Sequence, residues 1–265
     1  MTRLLRHARA NHKVLAQNNR HQVAARQALV HFASGAIYSF IPKNGCTSLR
    51  YSLALANGCI AEPDEFVWIH DNNSTFVATL RDLAIAPFTF VILRCPYARL
   101  ASSFLDKIVK KRPESWILHR QAGESYDPDM LTFRAFCGLM KRQELRDSNI
   151  HWRRQIDLLV YEDYDAWFCL EAFAAAAAKI EERTGLVVHD TRALAKHDTS
   201  HFEIDASENF SDCPVHELDA FRRLGSLPAH FALYDDQLAE DVAAIYAADI
   251  ELYGAKIGTD RLMFS

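Results

Sequence analysis

The chain has 265 residues, 49% of them hydrophobic, and a formal net charge of −4. That is enough for one large α/β domain, and no run of about 20 apolar residues offers a membrane span. The six cysteines (Cys46, Cys59, Cys95, Cys137, Cys169 and Cys213) form no CxxC pair, which argues against a zinc site or a redox pair.

The start of the chain lacks the apolar core of a signal peptide, so the cysteines read as reduced thiols in a cytoplasmic protein. Charge is unevenly spread. Residues 1–61 hold eight Lys/Arg and no acid, leaving 22 basic against 34 acidic residues after them. This basic excess reads as a solvated N-terminal helix, and it also surrounds a loop where it would steer an anion.

Residues 1–33 read as helical, with Leu4, Leu5, Val14, Leu15, Val23 and Leu29 loosely periodic. Residues 1–35 are therefore expected as a basic helical extension, and 36–265 as a single domain. Residues 36–41 read as a strand and 47–56 as a helix ended by Asn57-Gly58. Residues 60–80 are irregular and contain His70. Residues 88–93 are a continuous apolar run suited to a buried parallel strand. A helix follows from Tyr97 to about Lys111, then a loop over 121–129 and a helix over 131–145. Residues 158–161 and 166–170 are further strand candidates. A helix over 171–184 is capped by Gly185, residues 186–214 are irregular, and 235–253 form an amphipathic helix. Strands alternating with helices predict α/β architecture: a central parallel sheet flanked by helices.

Two segments carry the chemistry. In Pro42-Lys-Asn-Gly-Cys-Thr-Ser48 a strand turns into a helix, presenting backbone N–H groups and the positive end of a helix dipole to one point. Lys43 adds a charge there, Gly45 permits close approach, and Asn44, Thr47 and Ser48 add donors. Thr47 and Ser48 also read as simple helix caps, and Cys46 as a packing residue. The second segment, Arg94-Cys-Pro-Tyr-Ala-Arg-Leu-Ala-Ser102, starts at the carboxyl end of the second strand, where open parallel sheets bind ligands. Arg94 offers a fork of donors that matches phosphate oxygens, and Ser102 a hydroxyl. Arg99 either touches the phosphate or braces its helix.

The chain resembles the sulfotransferase-2 family, which includes the carbohydrate sulfotransferases. The family's PKxxxTS-like loop is similar to residues 42–48, and its RxPxxRxxS segment to residues 94–102. Asn149-Ile-His-Trp-Arg-Arg-Gln155 resembles its HWxPQ segment, with Arg154 in the proline position. Tyr164 to Glu171 is similar to its YDxxxxxE strand, and Val242 to Tyr253 to its terminal helix. Cys95 departs from the acidic residue common after the motif arginine. The stretch from Lys196 to His201 sits where relatives carry an Asn- and Lys/Arg-bearing loop near the nucleotide.

The resemblance implies a P-loop-NTPase-like sulfotransferase fold in a soluble, bacterial-type member. It implies 3′-phosphoadenosine 5′-phosphosulfate (PAPS) as co-substrate, leaving 3′-phosphoadenosine 5′-phosphate (PAP), and a hydroxyl acceptor, most often a carbohydrate. Residues 43–48, that is Lys43, Asn44, Gly45, Cys46, Thr47 and Ser48, would hold the 5′-phosphosulfate, and Arg94 with Ser102 the 3′-phosphate. Lys43 would stabilise the leaving phosphate. His70, which lies between the motifs, is the expected general base, with His151 as the other candidate. Neither a metal nor a nucleic-acid partner is expected, and the oligomeric state stays open. Two other readings remain at this point. A P-loop kinase would need a GK[ST] ending and a magnesium-holding Asp. A non-catalytic nucleotide- or glycan-binding protein would need neither.

Overall fold

The computed structural model describes residues 3–191, 194 and 201–264. The described chain forms two compact units, Met1–Arg94 with Gln155–Lys196 and Cys95–Arg154 with His197–Ser265. Each unit takes two separate stretches of sequence, which is why no linker was visible to divide them.

The first unit is built on a sheet in the order β1 (Ala28–His31), β2 (Ala36–Ser39), β3 (Thr89–Leu93) and β4 (Ala166–Cys169). β2 runs parallel to β3, with Tyr38 opposite Phe90, and β3 runs parallel to β4, with Phe90 opposite Ala166. β1 is antiparallel to β2, with His31 opposite Ala36, so the sheet is mixed rather than wholly parallel. Its helices are α1 (Asn19–Ala25), α2 (Cys46–Ala56), α3 (Trp68–Asp71) and α4 (Leu80–Ile85), with a further one after β4. Every residue of β1, β2 and β3 is buried. Tyr38 stacks on Phe90 at 5.2 Å, which in turn meets Phe168 edge-on at 6.3 Å.

Residues 1–35 are not the expected helical extension. Among the described residues only α1 and one 3₁₀ turn are helical there, and residues 28–31 are β1. The segment Ala-Leu-Val-His is buried on both faces, so it shows no alternation to betray a strand, and sheet pairing overrides its helix-prone composition. The basic excess is partly structural. Arg3 pairs with Asp165 at 2.6 Å and donates to Ala86 O, and Arg6 donates to the carbonyls of Tyr161 and Glu162. The expected strand at 158–161 is also absent. That run is buried, but it pairs only through a single bridge between Leu5 and Tyr161.

The second unit contains α5 (Pro96–Ser103), α6 (Pro113–Gln121), α7 (Phe133–Met140) and α8 (Gln143–Arg146). The helix after β4 in the first unit is α9 (Phe173–Thr184). The second unit continues with β5 (Glu203–Asp205), α10 (Val215–Arg223), β6 (Ser226–Pro228), α11 (Asp236–Ile245) and α12 (Ala247–Lys256). β5 and β6 are parallel neighbours. Phe104, Phe133, Phe136, Trp152 and Tyr234 form an aromatic core with centroids 4.9–5.9 Å apart. The helix expected over 235–253 breaks at Tyr246, whose buried hydroxyl donates to Trp152 O at 2.7 Å.

Candidate active site

The β2–α2 connection is a tight turn over residues 40–45. Lys43 sits at φ +73 and Gly45 at φ +71, both left-handed. For Lys43 that backbone costs about 1 kcal/mol and must be held by its surroundings. Gly45 is required twice over. A Cβ there would lie 3.0 Å from both Leu170 Cδ1 and Phe173 Cε2, in addition to the left-handed φ. No side chain caps α2, whose N-cap is Gly45. Thr47 and Ser48 therefore do not serve as its caps, and its first N–H groups are left without a side-chain cap.

Asn44 differs from its expected part. It is fully buried, and its Nδ2 donates to Ile92 O at 2.8 Å and Gln155 Oε1 at 2.7 Å. Both amide hydrogens are committed, so the side chain anchors the turn and brings no donor to a ligand. Ser48 Oγ lies 2.9 Å from Thr191 Oγ1, and Ser52 Oγ accepts from His189 N at 2.8 Å. These bonds lay residues 189–191 along α2. A cavity of about 600 Å³ opens beside Gly45 and Ser48, walled by Phe173, Val188, Glu171 and Asp190.

Arg94 follows β3. Its Nη1 donates to Lys43 O at 2.9 Å, which joins the two sequence motifs directly. Gln155 grips the Arg94 main chain on both sides: Oε1 accepts from Arg94 N at 3.1 Å, and Nε2 donates to Arg94 O at 2.8 Å. Gln155 was not singled out from sequence. The only available signal was its place at the end of the HWxPQ-like segment.

His70 is exposed on α3, its ring 5.7 Å from Phe66. Its position is tethered through its neighbour, because Arg50 of α2 donates from Nη2 to Ile69 O. His151 belongs to the second unit, half-buried, with Nδ1 2.8 Å from Asn149 Oδ1 and 3.7 Å from Glu114 Oε1. Ser102 is half-buried in the last turn of α5. Arg99 is a brace: it is 2% exposed and donates to Arg153 O at 2.7 Å and Ile150 O at 2.8 Å. The stretch 196–201, which the resemblance sets near the nucleotide, lies, apart from His201, outside the described residues. All six cysteines are free thiols. Among the described residues no group of His, Cys, Asp or Glu could hold a metal ion, and no helix is long and apolar enough to cross a membrane.

A mixed sheet flanked by helices, with a left-handed lysine in the turn before an uncapped helix N-terminus, defines an α/β protein. The chain belongs to the Sulfotransferase family, whose model matches residues 26–255. The match takes in β1 to β4 and the segments 42–48 and 94–102, and it supports a sulfotransferase function. No curated protein and no solved structure matches the chain.

Proposed function

We propose that this protein is a PAPS-dependent sulfotransferase acting on a hydroxyl acceptor, with a carbohydrate as the class implied by the resemblance. The observation that carries the reading is the 2.9 Å bond from Arg94 to Lys43 O. It makes one construction of the two segments expected to take the two separated anions of PAPS. The residues fit such a ligand. The N–H groups at the start of α2, Lys43, Thr47 and Ser48 would hold the 5′-phosphosulfate. The resemblance assigns Arg94 and Ser102 to the 3′-phosphate. The cavity beside Ser48 has a volume suited to a nucleoside, with Phe173 as an apolar wall and Glu171 and Asp190 as acceptors.

When bound, the donor supplies a sulfuryl group on a phosphate leaving group. Lys43 meets the charge that grows on that phosphate as the sulfur–oxygen bond breaks. The acceptor oxygen forms the new bond to sulfur, and its proton passes to His70, with His151 as the other candidate. Six free thiols fit a reducing, cytoplasmic setting.

Thermal shift provides the test. PAP at 100 times its dissociation constant should stabilise the protein by about 2.7 kcal/mol without magnesium. Stabilisation only by ATP with magnesium would point to a kinase. PAP binding with no transfer to any member of a glycan, lipid and alcohol panel, read by mass, would point to a non-catalytic binder.

A further inference from the structure

We propose that Gln155 is a positioning residue that holds the two anion segments in register. The inference rests on the donor reading above. Gln155 is 1% exposed and opens a one-turn 3₁₀ helix, Gln155–Leu158. β3 ends at Leu93, yet the amide of Gln155 engages both the N–H and the C=O of Arg94. A neighbouring strand would use the same two groups, so one side chain extends the ladder by one residue.

The same Oε1 also accepts from Asn44 Nδ2 at 2.7 Å. The contacts close a ring. Gln155 fixes the Arg94 main chain, the Arg94 guanidinium fixes Lys43 O, and Asn44, next in the chain, returns to Gln155. Asn44 is further anchored to Ile92 O on β3. The left-handed Lys43 is thus bracketed by a bond to its own carbonyl and by its neighbour's two bonds. Gln155 engages the Arg94 main chain and the Asn44 amide. It acts by setting where the Arg94 guanidinium and the Lys43 turn stand relative to each other.

A positioning role predicts a selective loss. In Gln155→Ala, the ratio of PAP affinity to adenosine 5′-phosphate affinity should fall about tenfold, because the phosphate-bearing groups lose register. A purely structural role would weaken both nucleotides equally, and that outcome, or an unchanged ratio, overturns the inference. If Gln155→Ala shows no cooperative melt, Gln155→Glu keeps the test alive. Its ionised carboxylate still accepts from Arg94 N and Asn44 but repels Arg94 O. Relative to wild type at each pH, its discrimination should recover as acid protonates the new carboxyl and restores a donor. Discrimination in Gln155→Glu equal to wild type at every pH overturns the role. Wild type binding neither nucleotide removes the donor reading and this inference with it. Wild type binding PAP, with a fully discriminating variant, removes this inference alone.

Discussion

Arg94 donates from Nη1 to the main-chain carbonyl of Lys43 at 2.9 Å. The arginine expected to serve a second phosphate also holds the turn proposed to receive the first. Substitutions at either residue therefore test the same construction from opposite ends.

Lys43→Ala removes the charge and keeps a residue with the same left-handed cost, so folding should change little. Turnover should fall by about 100-fold or more, in line with the loss of one preorganised group at a developing oxyanion. Steady-state sulfate transfer beside a thermal melt checks this, and near-normal transfer would refute the role.

Arg94→Ala should weaken PAP far more than adenosine 5′-phosphate, because only PAP carries the 3′-phosphate. A smaller common loss is expected for both, since Lys43 O also loses its donor. Calorimetric titration of the two nucleotides separates these effects, and equal losses would count against the 3′-phosphate assignment.

Gly45→Ala combines a left-handed φ of +71 with contacts of 3.0 Å to Leu170 and Phe173. The expected cost is about 1–3 kcal/mol, with a Tm fall of about 2–4 °C for each kcal/mol. PAP affinity should fall as well, because the turn must shift to accept the methyl. A variant with wild-type Tm and affinity would mean that the loop is not this tight.

His70→Ala should lower turnover while leaving PAP affinity unchanged, because His70 is assigned to the acceptor proton and not to the donor. Rates and nucleotide Kd measured on His70→Ala and His151→Ala decide between them. Full turnover in His70→Ala with loss in His151→Ala would move the role to His151.

His7 and His21 are buried in the first unit, and burial pushes both below the ordinary histidine value of 6.5. For His7 the neighbouring charges of Arg6 and Arg20 add to this, and Asp157 opposes it. Below 6.5 the unfolded chain takes up protons that the folded protein resists. These groups therefore cost nothing above about pH 7, and stability falls as pH drops through 6.5 toward their lowered values. Denaturant melts between pH 7.5 and 5 should show that slope, and His7→Gln should flatten it. An unchanged slope in His7→Gln would exclude His7 as a contributor.

Much of the fold was legible because its signals are local. The runs at 36–41 and 88–93 contain β2 and β3, and 166–170 contains β4. The glycine-bearing turn before α2 and the arginine after β3 are likewise written in adjacent residues. β1 was not legible, because a four-residue strand buried on both faces carries no period and gains its stability from β2. The run at 158–161 misled for the converse reason: burial alone does not specify sheet pairing.

By itself, the sequence determined the residue types at the site, their order and the family they belong to. Only tertiary structure decided which of them bond to each other. Asn44 reaches Gln155 across 111 positions and Ile92 across 48, and Gln155 meets Arg94 across 61. Side-chain amides leave no local trace of partners so far away. Their hydrogen bonds form only once the sheet brings the ends of β2 and β3 together and excludes water from between them.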